Sequence, residues 1–192
     1  MIPGLYKCFE HWCNQTVWVY SDPHFNDKEQ MESYSWISAE EQIKRINAKV
    51  GRKDTLIILG DVGDIECVKQ LRGYKVLVAG NHDAGLSNYE EVFDEVYGGP
   101  LMIGEKLILS HEPIPNITWA MNIHGHVHNK NYKNDKYHFN CCSNTIDFTP
   151  INFNQWMKQG HLSHILSIHR NTIDKATERK NKRVKKENKY GK

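Results

Sequence analysis

The chain has 192 residues, 39% hydrophobic and 25% charged, with 25 Lys and Arg against 23 Asp and Glu. That is enough for one domain with a real core, and it is the composition of a globular protein rather than a disordered or fibrous one. No apolar run approaches the roughly 20 residues of a membrane span, and the start MIPGLYKCFEHW lacks a basic segment leading into an apolar one, so no membrane contact and a cytoplasmic location are expected.

The cysteines, at 8, 13, 67, 141 and 142, form an odd set without CxxC spacing, which argues against a disulfide framework and a zinc ribbon. CFEHWC lacks a second ligand cluster and reads as buried or reduced thiols. The formal charge of +2 is unevenly placed. Ten basic and three acidic residues from Arg170 to Lys192 give that segment +7, leaving −5 on the rest.

In chain order, residues 1–15 read as an N-terminal extension, 16–170 as the domain and 171–192 as a basic tail. TVWVYS (16–21), TLIILG (55–60) and KVLVAG (75–80) are apolar or β-branched runs of strand length. Between the first two, Ser38 and Glu41 have capping-box spacing, Ile43, Ile46 and Val50 form a stripe, and Gly51 is placed to end the helix. Ile65, Val68 and Leu71 before Gly73 repeat the pattern in shorter form. A third helix is expected after Ser87, with Tyr89, Val92, Phe93 and Val96 on one face. From residue 101 the signal changes to strands: two in LMIGEKLILS around Gly104-Glu105, then ITWAMNIHG and KYHFNCCS. Alternation followed by strands predicts a mixed system, parallel first and antiparallel second. A closing helix is expected from about 153 to 177, with Gly160 able to break it, and the polar ERKNKRVKKENKYGK beyond it as frayed helix or disordered tail.

Polar residues recur just past the strands: Asp22-Pro23-His24, Asp61, Asn81-His82-Asp83, His111, and His126-Val127-His128. In open α/β sheets the carboxyl ends of strands line the ligand crevice, so such residues converge. Each alone reads as a helix cap, a turn residue or a surface histidine. Five strands each delivering a metal-capable side chain to one rim is a different matter.

The ordered set DPHF, GDVGD, GNHD, SHEP and GHVH resembles the calcineurin-like metallophosphoesterase superfamily, whose signature is DxH, GD, GNH with Asp or Glu, a lone His, and GHxH. The resemblance covers about residues 16 to 155 and implies an α/β fold, a four-layer α/β/β/α sandwich with mixed sheets. It implies a site for two divalent metals, Mn first, with Fe, Zn, Ni or Co alternatives. Asp22, His24 and His128 would bind one ion, Asn81, His111 and His126 the other, and Asp61 would bridge them. His126 and His128, in an extended segment, would project the same way. Gly125 would permit close backbone approach. His124 would be a core or supporting residue. The implied activity is hydrolysis of a phosphodiester or phosphomonoester, of a nucleotide or other small phosphate ester, by attack of a hydroxide bridging both metals. His82 would act on the phosphate or the leaving oxygen, with Asp83 orienting it.

GDVGDIE lacks the Arg of GDxxDRG, and GNHD ends in Asp, which departs from the protein serine/threonine phosphatase branch and points to compact phosphodiesterases. Asp64 and Glu66 are supporting acids or helix-terminal residues. A solvated charge run is preferred to nucleic-acid binding for the tail. Pocket walls are expected from loops 25–37, 84–88 and 112–118. The alternative function is a non-catalytic, metal-binding interaction scaffold on the same fold. Oligomeric state does not follow from the sequence.

Overall fold

The computed structural model describes residues 2, 4–83, 85–129, 131 and 133–190. Among them, the strands are β1 (Val17–Tyr20), β2 (Thr55–Ile58), β3 (Tyr74–Val78), β4 (Glu95–Tyr97), β5 (Leu101–Gly104), β6 (Leu107–Leu109), β7 (Met121–His124), β8 (His138–Asn140) and β9 (Ile151–Asn152). The helices are α1 (Lys28–Tyr34), α2 (Ala39–Lys49), α3 (Phe153–Lys158) and α4 (Ile168–Tyr190). One sheet has the order β4-β3-β2-β1-β9, the other β5-β6-β7-β8.

The two sheets face each other across the main core. Val17, Val19, Ile57, Val76 and Val78 of the first meet Leu107, Leu109, Met121 and Ile123 of the second, and Phe153 and Trp156 of α3 join them. Alternate residues Tyr20, Leu56, Ile58 and Leu77 point the other way, onto Ile43 and Ile46 of α2. Strands buried on both faces read as continuous apolar runs, which is why TLIILG shows no polar alternation. Ile117 and Ala120 cover Ile108 on the outer face of the second sheet. The result is a mixed α/β fold of two mixed sheets flanked by helices.

α2 starts where the capping box places it, with the Ser38 hydroxyl accepting from the Glu41 N–H at 3.3 Å. Other expectations are corrected. The second sheet is not antiparallel: only β5 and β6 pair that way, while β6, β7 and β8 are parallel. Residues 110–120 and 125–137 separate these strands, room for crossovers that a hairpin does not need. The helix expected after Ser87 is a 3₁₀ turn, Leu86–Asn88, followed by β4. Tyr89, Val92 and Phe93 are still buried together, but pairing of Val76–Val78 with Glu95–Tyr97 pulls the chain into a strand. Ile65–Gln70 is likewise a 3₁₀ helix, capped by Asp64, whose Oδ1 accepts from the Glu66 N–H.

The segment expected as an N-terminal extension contributes described residues to the core. Phe9 and Trp12 sit in the inter-sheet cluster, from a 3₁₀ helix Lys7–Asn14. The Trp12 indole N–H donates to Glu95 at 2.8 Å, and the same carboxylate accepts from the Tyr74 and Tyr97 hydroxyls. At the other end Gly160, with φ +80°, follows α3 and separates it from α4. The tail from 171 continues as helix, with the side chains of residues 172–185 exposed. Its last two residues, Gly191 and Lys192, lie outside the described residues. No described helix is long and apolar enough to cross a membrane.

Candidate metal centre

The carboxyl ends of β1, β2, β3, β6 and β7 face one rim, and the residues beyond them converge there. Asp22, His24, Asp61 and His128 place ligand atoms within 4.8 Å of one another, as do Asp61, His111 and His126. The two groups share Asp61. Its Oδ2 lies 3.6 Å from His24 Nε2 and 3.3 Å from His111 Nε2. Asp22 Oδ1 is 3.0 Å from His128 Nε2, and His111 Nε2 is 2.9 Å from Asn81 Oδ1 and 3.0 Å from His126 Nδ1. All seven residues carried over from the resemblance as ligands are therefore gathered in one place.

The backbone is bent hard to achieve this. Asp22, His24, Asp61 and His126 have φ of +52°, +43°, +50° and +63°, in the left-handed region that non-glycine residues seldom occupy. Such strain persists where surrounding bonds over-determine it. Asp22 provides one such bond, accepting from the His126 N–H at 2.9 Å. Asp83 provides three more, accepting from the N–H groups of Asp61, Val62 and Gly80 at 2.8–3.0 Å. Gly125 is needed for closeness: a Cβ there would overlap Ser21 Oγ and an Asp22 carboxylate oxygen.

Two readings change. The extended-segment rationale for His126 and His128 does not hold. The Val127 N–H donates to the Gly125 carbonyl at 2.7 Å across a His126 of positive φ, so the chain makes a γ-turn. The histidines reach the two groups through that turn, His126 with Nδ1 and His128 with Nε2. Asp83 does not orient His82. Its fourth bond comes from the Tyr89 hydroxyl, leaving both oxygens engaged away from the imidazole. His82 is exposed at the rim, its N–H donating to Asp61 Oδ1 at 3.0 Å and its ring 6.0 Å from that of His24. His124 is fully buried, with Nδ1–H donating to the Gly125 carbonyl and burial pushing its pKa down to about 4.

The side chains present suit divalent cations. His24 Nδ1–H donates to Asp27 at 3.1 Å, which turns Nε2 into the site, where that buried atom has no hydrogen-bond partner among the described residues. His111 Nδ1–H donates to the Leu59 carbonyl at 2.9 Å, again leaving Nε2 inward. Imidazoles so oriented by an outer partner are the usual metal-binding form, and imidazole with carboxylate suits Mn, Fe, Zn, Ni and Co. Asp27 escaped sequence reading because its place, three residues past His24, is also that of a helix cap. It is both, as Oδ1 accepts from the Gln30 N–H.

Without metal, protons take part of that role. Burial alone would lower the His111 pKa, but the Asp61 hydrogen bond and the charges of Asp22 and Asp61 outweigh it and raise it to about 9. Burial would raise Asp61, yet the hydrogen bond and charge of His111 bring it down to about 2. His24 is lowered, chiefly by burial. The open flank of the centre beside Asn81 and His111 is a cavity of about 350 Å³ bounded by Gly98, Pro100, Glu112 and Pro113. This agrees with a wall expected from 112–118. A second cavity, of about 370 Å³ beside His11, Arg52 and Tyr74, lies at the opposite end of the first sheet, where Thr55 begins β2.

Two outcomes are expected. The raised His111 pKa contributes stability to metal-free protein that is complete below pH 6.5 and lost as pH rises through about 9. The thermal midpoint of metal-free protein should fall over that interval, and His111→Gln should remove the fall. Asp83→Asn, by weakening charged acceptance from buried N–H groups, should destabilise the protein by about 2 kcal/mol in denaturant unfolding and lower bound metal per chain. Loss of turnover on poor leaving groups alone, with stability intact, would restore an orienting role for Asp83.

Comparison with known proteins agrees with this arrangement. The chain matches the calcineurin-like phosphoesterase family over residues 15–189. A comparison with curated proteins finds no match. Among solved structures it is similar to a protein of unknown function from Aquifex aeolicus, at 23% identity and TM-score 0.61, over 75% of this chain and 98% of that one. It is also similar to Pseudomonas putida nuclease MPE, at 25% identity and TM-score 0.42, over 58% of this chain and 60% of that one. With the family match spanning nearly the whole described chain and the strand-end ligands in one cluster, the protein belongs to the calcineurin-like phosphoesterases, metal-dependent hydrolases of phosphoric esters.

Proposed function

We propose that the protein hydrolyses phosphodiesters, of nucleotides or other small phosphate esters, at a dinuclear centre. Asp22, His24 and His128 would hold one ion, Asn81, His111 and His126 the other, and Asp61 would serve both. The observation that carries this reading is the pair of ligand clusters sharing the Asp61 carboxylate. When bound, the ions supply a water that ionises near neutral pH and positive charge against the phosphate oxygens. Manganese heads the candidates, ahead of Fe, Zn, Ni and Co.

The chain's own groups divide the remaining work. Asp22 and Asp61 bring two negative charges to two divalent ions, so the rim retains net positive charge for a phosphate anion. Asp27 and the Leu59 carbonyl fix the tautomers of His24 and His111. His82, exposed with its ring 6.0 Å from that of His24, delivers a proton to the leaving oxygen. Asp83 holds the β2 and β3 loops together so that Asp61 and Asn81 keep their spacing. A diester is preferred to a monoester because the Glu112 carboxylate, on the cavity wall next to the proposed ligand His111, repels a dianion more than a monoanion. The basic helix is a solvated charge run, with the nucleic-acid role left secondary.

The decisive assay uses metal-stripped protein with Mn, Ni, Co, Zn or Mg returned separately, on bis-p-nitrophenyl phosphate and p-nitrophenyl phosphate. Turnover should return with Mn, favour the diester, and fall at least about a hundredfold in Asp61→Asn, beyond the loss typical of an outer partner. No turnover with any metal, despite two ions bound, would leave the interaction scaffold as the function. His82→Ala should slow a diester with an alkoxide leaving group by about a hundredfold and nitrophenyl diesters far less. Equal losses on both would remove the general-acid assignment.

A further inference from the structure

α1 stands beside the proposed centre and is built unlike a structural helix. None of its residues is buried. It nevertheless presents Met31 and Tyr34, 40% and 50% exposed, at i and i+3 and therefore on one face. A helix that buries nothing has no packing reason to carry two large apolar side chains, and exposed apolar patches mark binding surfaces.

Both ends of α1 are tied to the site. At its start, Asp27 accepts from the Gln30 N–H through Oδ1 and from His24 through Oδ2, so one carboxylate caps the helix and holds a proposed ligand. At its end, Ser35 takes φ +55° and the chain turns inward to bury Trp36. The Trp36 indole N–H donates to the Pro23 carbonyl at 3.0 Å, and its ring packs 4.9 Å from His128 and 5.6 Å from Phe148. Trp36 thus closes the wall behind His128. Tyr34 stands in front of it, ring centroid 6.0 Å from that of His128 and nearly perpendicular, at 85°. A half-exposed aromatic ring thus stands 6.0 Å from the ring of a proposed ligand, on a helix whose two ends are anchored by Asp27 and Trp36.

The opposite flank differs. The cavity walled by Asn81 and His111 is otherwise bounded by glycine, proline, Ser110, Ile114 and Glu112, with no Tyr, Trp or Phe among its described lining residues and a carboxylate that repels a further phosphate. A phosphodiester carries two ester arms, and the site has two unlike flanks to receive them.

We propose that Tyr34 is a specificity-determining residue that stacks on a nucleobase in one ester arm, so that nucleotide phosphodiesters are the preferred substrates. Stacking on a tyrosine accepts any base, because every base has a π-face, so the choice is for a nucleotide and not for one sequence. Met31 lengthens the same face by one turn. The assignment rests on the hydrolase reading above.

Two esters with the same leaving group separate it from general activity: thymidine 5′-(p-nitrophenyl phosphate) and methyl p-nitrophenyl phosphate, with manganese-loaded protein. The wild type should favour the thymidine ester in kcat/KM. Tyr34→Ala should lower that value about tenfold and the methyl ester's far less, so that the preference collapses, while Tyr34→Phe keeps the wild-type preference. No preference in the wild type, or equal losses on both esters, would overturn the assignment. Calorimetric binding of thymidine 5′-monophosphate against methyl phosphate gives a readout that needs no turnover. Tighter nucleotide binding that Tyr34→Ala abolishes, with neither ester hydrolysed, would sink the hydrolase reading and keep the stacking face. Hydrolysis without nucleotide preference in rate or binding would do the reverse.

Discussion

Two carboxylates buried at the meeting point of two sheets govern the rest of this structure. Asp22 is fully buried and Asp61 is 2% exposed. Charge removed from water so completely is tolerable only when donors and cations surround it. Backbone N–H groups and imidazoles are the supply: His126 N–H and His128 on Asp22, His82 N–H, His24 and His111 around Asp61. Directing those groups inward forces the loops past β1, β2 and β7 into left-handed conformations. The chain there is shaped by charge compensation before it is shaped by packing.

That ordering explains what the sequence reveals and what it hides. Polar residues directly after apolar runs survive in the sequence because the sheet supplies the direction and only the side chain supplies the chemistry. Asp22, Asp61, Asn81 and His111 are legible for that reason. The path between them is not. Whether His126 and His128 sit on a strand or a γ-turn depends on a hydrogen bond from Val127 to Gly125 that no spacing records. Asp83 likewise lies next to His82 in sequence and hydrogen-bonds across to the β2 loop in space.

Secondary structure shows the same division. α2 announces itself through Ser38 and its apolar stripe, since capping and periodicity are local. The segment after Ser87 has equally good local credentials and becomes β4, because β3 offers a free edge that the helix would leave unpaired. Residues 1–15 carry little periodicity, yet Trp12 reaches the core through Glu95, more than eighty residues away in the chain. Segments whose stability comes from distant partners are the ones a local reading sets aside.

The pairing of β1 with β9 has a consequence for how this chain is made. Trp18 and Val19 lie opposite Asn152 and Ile151, so β1, beside the central strand β2, meets its second neighbour only after the roughly 130 residues between them have been translated. Until then its edge stays open and apolar, the kind of edge that invites association between unfinished chains. Closing the first sheet also joins pieces of very distant sequence, which puts loop-closure entropy ahead of the reward and makes this step a slow one in folding. The two-residue strand β9 keeps that late closure small, so the end of the domain completes the sheet with little new backbone to order.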